Sequence, residues 1–428
     1  MTSPTALAGP RHACVIGAGI VGAATAHALA ERGWRVTLVD AHAQPGRGES
    51  LGNGAQLSYS YVEPLATPDA LKNLPKWLLL PDSPLRWRPQ PRFSHARWLS
   101  EFVAACQWPT VRRTSEQLLS LAAESRRTLH RWLAGLPGSA EATRHTQTGK
   151  LVIYRKPEAL AGVQRQIEWQ RAWGCAQAIV GADEVRRLEP ALAATGGGPI
   201  AFGVWTATEE VIDAARLAVL LAQASGAALR LGRPVQRLVR DAAGRVVAAE
   251  LAGGERIEAD AIVMAAGPAT VQLLKPLGAR PPIEPIKGYS VSLPIVDDAA
   301  APRVSITDNG RKLVHARLGD RLRVAGFAEL IGMSRVLPPA RIEALCQAVR
   351  ETFPGACSFD DPQPWTGLRP ATPSGRPQVG ATRWPGLWLN AGHGALGLTL
   401  SCGSASLLAD LMEGREPAVD PTAFRVTG

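Results

Sequence analysis

The segment 17-GAGIVG-22 constrains this chain more than any other. Gly17, Gly19 and Gly22 stand at G-x-G-x-x-G spacing, directly behind a short apolar run (HACVI, residues 12–16) and at the head of a stretch rich in small residues that reads as a helix. Each glycine has its own work. Gly17 permits a tight turn, Gly19 lets the backbone approach a pyrophosphate, and Gly22 allows the helix to pack closely on the strand. The helix N-terminus, with Ile20 and Val21 in its first turn, then faces the phosphates. Residues 34–40 (WRVTLVD) form the next strand and end on Asp40, placed to accept from an adenosine ribose hydroxyl. The glycine spacing alone would fit an ordinary turn. With both strands, the helix and the terminal acid it defines a dinucleotide-binding βαβ unit. An acid at Asp40 disfavours a 2'-phosphate, so the residues point to FAD or NAD rather than NADP and leave those two unseparated.

At 428 residues the chain exceeds one hydrophobic core, so two domains are expected. Helical periodicity is clear at about 111–134, with shorter helices at 96–107, 157–173, 183–189, 211–226 and 339–353. Strands are expected at 149–155, 200–206, 229–240 and 245–251, residues 259–270 read as a strand running into a small-residue turn, and residues 283–330 alternate like antiparallel strands. The fold class is α/β and α+β: a Rossmann-like dinucleotide-binding domain in discontinuous segments (1–62, 207–282 and 364–428) and a substrate-binding domain with a mainly antiparallel sheet (63–206 and 283–363).

Several function classes are excluded. The net charge of +10 permits anionic partners, but no run of five basic residues occurs and aromatics do not interleave with basic residues, which argues against nucleic acid. The six cysteines form no CxxC pair and no Cys/His cluster at metal spacing, so neither a metal nor a disulfide framework is expected. The first strand begins too early to leave room for a signal peptide, and no uncharged apolar stretch approaches 18 residues. A cytoplasmic location is expected, on the inner face of the membrane if the chain meets one.

Beyond the glycine motif, well-separated segments occur in an order that resembles the D-amino acid oxidase superfamily, and within it the bacterial FAD-dependent D-amino acid dehydrogenases of the small-subunit type. The segments are VIGAGIVG at 15–22, SLGNGAQLS at 50–58, IKGYS at 286–290, GFAELIG at 326–332, WTGLRPATPSGRPQVG at 365–380 and NAGHGALGLTLSCGSASLLADLMEG at 390–414. The resemblance implies non-covalent FAD. It assigns Gly52, Asn53, Gly54, Ala55 and Gln56 to the flavin lining, and Ala265, Ala266 and Gly267 to a second nucleotide-side turn. Gly392, His393, Gly394, Ala395, Leu396 and Gly397 become a turn whose following helix points its positive end at the ring; from the residues alone, His393 could equally be a packing histidine.

For the substrate, the resemblance implies that Arg369 pairs with a carboxylate, for which its rigid fork is suited. Tyr289 is the second site candidate, either holding the carboxylate or shaping the pocket. Tyr59, Tyr61, His315 and Glu329 are weaker. The chain departs from many relatives with Ser374 in place of an aspartate. Gly394 and Ala395 stand where glycine oxidases can carry an arginine, which makes glycine a less suitable substrate.

The implied activity is oxidative deamination of a small D-amino acid. Hydride passes from Cα to flavin N5, the imine hydrolyses to a 2-oxo acid and ammonia, and the electrons go on to a quinone or similar acceptor. Alternatives are a related amine or imino-acid oxidoreductase acting on D-proline, hydroxyproline or an opine, and a non-catalytic flavoprotein subunit. A tRNA-modifying relative would need a further domain for which the chain is too short. Residues 64–98 hold Trp77, Leu78, Leu79, Leu80, Trp87 and Trp98 among Lys72, Lys76, Arg86, Arg88 and Arg97. This segment is read either as a peripheral membrane contact or as a lid over the site.

Overall fold

The computed structural model describes residues 11–72, 85–88, 90–196 and 198–427. The strand His12–Ile16 is buried at every position, as the middle of a sheet covered on both faces must be. Its parallel neighbours are Arg35–Val39 and Ala261–Met264. The full order of this six-stranded sheet is Gln378–Ala381, Leu387–Ala391, Ala261–Met264, His12–Ile16, Arg35–Val39, Ala228–Arg230, parallel except between the first two. The Rossmann-like layer is therefore drawn from three separate stretches of sequence.

Helix Ile20–Glu31 packs on this sheet and against helices Ala214–Ala224 and Gly397–Glu413. Small residues make that closeness attainable. A Cβ on Gly22 would sit 1.7 Å from the Gly17 carbonyl oxygen, and one on Gly403 would sit 2.6 Å from the Leu121 carbonyl oxygen of helix Trp108–Ala134. By length and composition Gly394–Glu413 could cross a bilayer, but its surface is mostly buried between Ile20–Glu31 and Trp108–Ala134, which accounts for its apolarity.

The second region is a nine-stranded, mostly antiparallel sheet. Its main path runs Gln363–Ala371, Glu284–Pro294, Arg321–Leu330, Leu313–Leu318, Ser305–Asp308, Lys150–Tyr154, Phe202–Thr206, Ala178–Gly181. Two contacts are parallel: Ser305–Asp308 on Lys150–Tyr154, and Leu85–Trp87 on Arg321–Leu330. Helix Pro339–Thr352 covers one face, over a core that includes Leu293, Val324, Val349 and Phe353. A short ribbon, Gln56–Leu57 on Glu210–Val211, lies beside the two sheets.

Helix boundaries differ from expectation around Pro109. The earlier helix runs Phe93–Ala105, and the long helix begins at Trp108 with Pro109 in its first turn. Proline lacks an N–H that the first turn leaves unpaired anyway, so it opens the second helix rather than only closing the first.

Candidate active site

One cavity of about 1150 Å³ lies between the carboxyl ends of the parallel strands and the large sheet. That volume exceeds an ordinary single-ligand pocket and suits a dinucleotide with a substrate beside it. Of the expected site residues, all except Gly22 line it. Gly22 lies behind the wall, where it lets the helix approach the Gly17 turn.

Gly17, Gly19, Ile20, Val21 and Asp40 gather at one end. Gly17 adopts φ 107°, and a Cβ there would meet the Ala265 carbonyl oxygen at 2.4 Å, so the first and second nucleotide-side turns are pressed together. Asp40 accepts from the Ala18 N–H at 2.6 Å and the His42 N–H at 2.8 Å, tying the strand end to the glycine turn. Ser50 Oγ accepts from the Ile20 N–H at 2.9 Å. The helix carries no acid in its first turn, so its positive end is left for an anion.

The loop Gly52–Gln56 is fixed to the large sheet. Ser290 Oγ donates to the Gly52 carbonyl at 2.7 Å, and a Cβ on Gly52 would strike the Trp365 ring at 2.3 Å. Ala55 sits at φ 57°, a left-handed conformation held by Asn53 Oδ1 accepting from its N–H at 3.0 Å. Gln56 Nε2 is committed to Ser305 Oγ and the Ile306 carbonyl, so the residue presents its backbone rather than a free amide.

His393 is buried, with Nε2 2.9 Å from Ser404 Oγ about two turns into the helix that follows. Burial pulls its pKa down to about 3, so the imidazole is neutral and anchors the turn Gly392–Gly397. The packing role left open in the sequence is the one its side chain fills.

At the other end, Arg369 is half-buried on Gln363–Ala371, and its Nη1 donates to the Phe327 carbonyl at 2.8 Å. It has no carboxylate partner among the described residues, and burial lowers its pKa. Tyr289 also lines the cavity, but its hydroxyl donates to Glu329 Oε2 at 2.6 Å. Glu329 in turn accepts from Arg341 at 2.9 and 2.7 Å. The phenol proton is thus used inside the wall and is not free for a substrate carboxylate. Burial and the Glu329 carboxylate both push the Tyr289 pKa up.

Among the weaker candidates, Tyr61 lines the cavity with its hydroxyl 2.7 Å from Thr206 Oγ1, whereas Tyr59 does not reach it. Glu329 lies beneath Tyr289. His315 is in the core of the large sheet, edge-on to Phe353 at 5.3 Å, with neither ring nitrogen hydrogen-bonded among the described residues.

Among the wall residues that the sequence reading did not single out are Glu49, Lys150, Arg335 and Trp365. Glu49 accepts from the Leu368 N–H at 2.5 Å and pairs with Arg335. A polar Lys150 opening the apolar strand KLVIY was the only cue to that residue.

Part of the 64–98 segment covers the cavity through Pro64, Leu65, Thr67 and Ala70. Trp98 is buried and donates from Nε1 to the Ala371 carbonyl at 2.8 Å, and Trp87 Nε1 donates to His95 at 3.0 Å. Both indole N–H groups are thus used within the protein. Trp77, Leu78, Leu79, Leu80 and Lys76 lie outside the described residues.

Fold and cavity define a dinucleotide-dependent oxidoreductase with its ligand at the carboxyl ends of a parallel sheet. The chain belongs to the DAO family of FAD dependent oxidoreductases, whose family model matches residues 12–411. It is 45% identical over 417 residues to D-amino acid dehydrogenase 2 of Ralstonia nicotianae, covering 95% of this chain and 97% of that protein. It is 44% identical over 421 residues to D-amino acid dehydrogenase 2 of Pseudomonas aeruginosa, covering 97% and 98%. Among solved structures, glycine oxidase from Geobacillus kaustophilus shares the fold with a TM-score of 0.75 at 21% identity, over 97% of this chain and 99% of that one. The residues fit FAD: the turn at Gly17–Val21 leaves the backbone bare toward the cavity, and Gly19 has only Ser50 Oγ near its missing Cβ, at 3.4 Å.

Proposed function

We propose that the protein deaminates D-amino acids oxidatively, using non-covalent FAD and a quinone or similar acceptor. The observation that carries this reading is Arg369, a half-buried guanidinium in the cavity wall with no carboxylate partner among the described residues. A half-buried cation with one edge of its fork already held by the Phe327 carbonyl has the rest of it open to a ligand anion, and an α-carboxylate matches that geometry.

Bound FAD supplies the hydride-accepting ring and carries two electrons onward. The remaining work belongs to the chain. Gly17, Gly19, Ile20 and Val21 receive the pyrophosphate, and Asp40 receives the ribose. Gly52–Gln56, Ala265–Gly267 and Gly392–Gly397 line the cofactor with backbone and small side chains. Arg369 fixes the substrate carboxylate, which aligns Cα for transfer, so positioning does the work a strong base would otherwise do. Tyr289 holds the wall rather than the carboxylate. Residues 1–62, 207–282 and 364–428 form the FAD-binding domain, with 63–206 and 283–363 over the substrate.

Non-covalent attachment is supported by the wall itself: among the described residues no cysteine lines the cavity, and His393 is turned onto Ser404. Preference for the D isomer is supported by the relatives, both D-amino acid dehydrogenases by name. Residues 64–70 favour a cover over the site. Turnover with a dye acceptor, comparing D and L isomers and quantifying 2-oxo acid and ammonia, tests the reading. Stoichiometric release of both products from D isomers only is expected; equal turnover of L isomers, or of imino acids alone, would replace it.

A further inference from the structure

Lys150 opens strand Lys150–Tyr154 with its side chain in the cavity wall and only 5% of its surface exposed. Its ammonium donates to Ser58 Oγ at 2.8 Å and lies 4.3 Å from the centre of the Tyr61 ring. Among the described residues no carboxylate comes within salt-bridge reach. Glu209 is the acid that attracts it from a distance, and its oxygens already accept from the N–H groups of Tyr59 and Ser60, both at 2.8 Å. Burial lowers the lysine pKa to about 8, which leaves the ammonium as the main form at neutral pH. A cation desolvated to this degree among neutral contacts is costly unless an anion completes its surroundings.

The cavity indicates which anion. Its Gly17–Asp40 end takes the phosphates and ribose, so the ring of a dinucleotide bound there must extend to the large-sheet end, where Lys150, Tyr289 and Arg369 stand. Ser58 also links Lys150 to a second positive source. Its N–H donates to Thr399 Oγ1 at 3.1 Å, in the first turn of helix Gly397–Glu413, which has no acid in that turn. Of the other cavity cations, Arg335 pairs with Glu49, Lys312 Nζ is held by Asn309 at 2.9 Å, and Arg369 is assigned to the substrate.

We propose that Lys150 is the residue whose positive charge sets the reduction potential of the bound flavin, favouring the reduced ring. The inference rests on FAD occupying this cavity, not on which amino acid is oxidised. Oxidation of the substrate moves two electrons and the Cα hydrogen, as hydride, from substrate to flavin. The amine becomes an iminium, and the ring gains one negative charge. Lys150 offsets that charge electrostatically. It forms no bond to the ring and gives up no proton.

The test is equilibrium reduction of the holoenzyme against a redox dye, with no amino acid present. At a fixed dye poise, Lys150→Met should lower the ratio of reduced to oxidised flavin at least tenfold, about 30 mV for a two-electron couple. Lys150→Arg should restore most of it. Lys150→Gln, which keeps a donor for Ser58, is read if the methionine variant loses its flavin. A neutral variant that holds FAD at the wild-type ratio overturns the assignment. Loss of FAD from both neutral variants also overturns it, by making Lys150 a structural anchor. Because the dye replaces the substrate, an error in the D-amino acid reading leaves this result unaffected, and stereospecific turnover in all variants would leave that reading standing alone.

Discussion

Arg369 Nη1 donates to the backbone carbonyl of Phe327 at 2.8 Å, and Phe327 itself is held at φ 60°. A phenylalanine in the left-handed region costs of order 1–3 kcal/mol, and it persists only where the surroundings determine it. Here the strained carbonyl fixes one edge of the guanidinium and leaves the rest of the fork for a ligand. Arg369→Lys keeps the charge and loses the fork. The expected result is a fall in kcat/KM of about a hundredfold, from roughly 3 kcal/mol of lost carboxylate binding, with the flavin spectrum unchanged. Stopped-flow reduction and steady-state kinetics measure this, and wild-type kcat/KM would remove Arg369 from the site.

Tyr289→Phe deletes the donor to Glu329 but leaves that carboxylate paired with Arg341. Stability should fall by about 1–2 kcal/mol, while kcat/KM stays within tenfold of wild type because the aromatic wall is intact. Urea unfolding alongside turnover separates the two effects. A loss of activity as large as that of Arg369→Lys would return Tyr289 to direct substrate contact.

Gly22→Ala places a methyl group 1.7 Å from the Gly17 carbonyl oxygen, an overlap with rigid backbone. A penalty of about 3 kcal/mol or more is expected, with little FAD retained on purification. Gly162, in helix Leu160–Arg171, has nothing within 4 Å of its missing Cβ and no positive φ, so Gly162→Ala is the control. It should be neutral or stabilise by up to about 1 kcal/mol. Flavin absorbance per protein reads both.

Acid should destabilise the fold through two buried histidines. Burial lowers His315 to about 4 and His393 to about 3, from an ordinary 6.5. As pH falls through 6.5 the unfolded chain takes up protons that the folded one refuses. Stability then drops by about 1.4 kcal/mol per pH unit for each histidine, until the folded values are reached. Above about 6.5 neither contributes a slope. His315→Leu should flatten the dependence of the urea midpoint on pH in the acid range, and an unchanged slope would show that His315 is not buried neutral.

The sequence was most legible where backbone geometry dictates residue type. Glycines at 17, 19 and 22, two strands and Asp40 sufficed for the βαβ unit, because each position admits few alternatives. Arg369 could be picked out only through the family resemblance of the segment around GLRP. Side-chain direction was not legible. That Tyr289 donates to Glu329, that Gln56 turns to Ser305, and that His393 rests on Ser404 depend on which chains meet in space. The Glu49 carboxylate finds Arg335 and the Leu368 N–H far along the chain, and no local pattern marks such a pair. Lys150 was hidden for the same reason: a strand reads as a strand whichever of its faces meets a cavity.

The most direct test of the account is the visible spectrum of the purified protein under anaerobic conditions, before and after D-alanine, with L-alanine as the paired control. Bleaching of oxidised flavin by D-alanine alone is predicted. An oxidised flavin spectrum that neither isomer changes would contradict D-amino acid oxidation at this site and shift it to an imino-acid, opine or non-catalytic role.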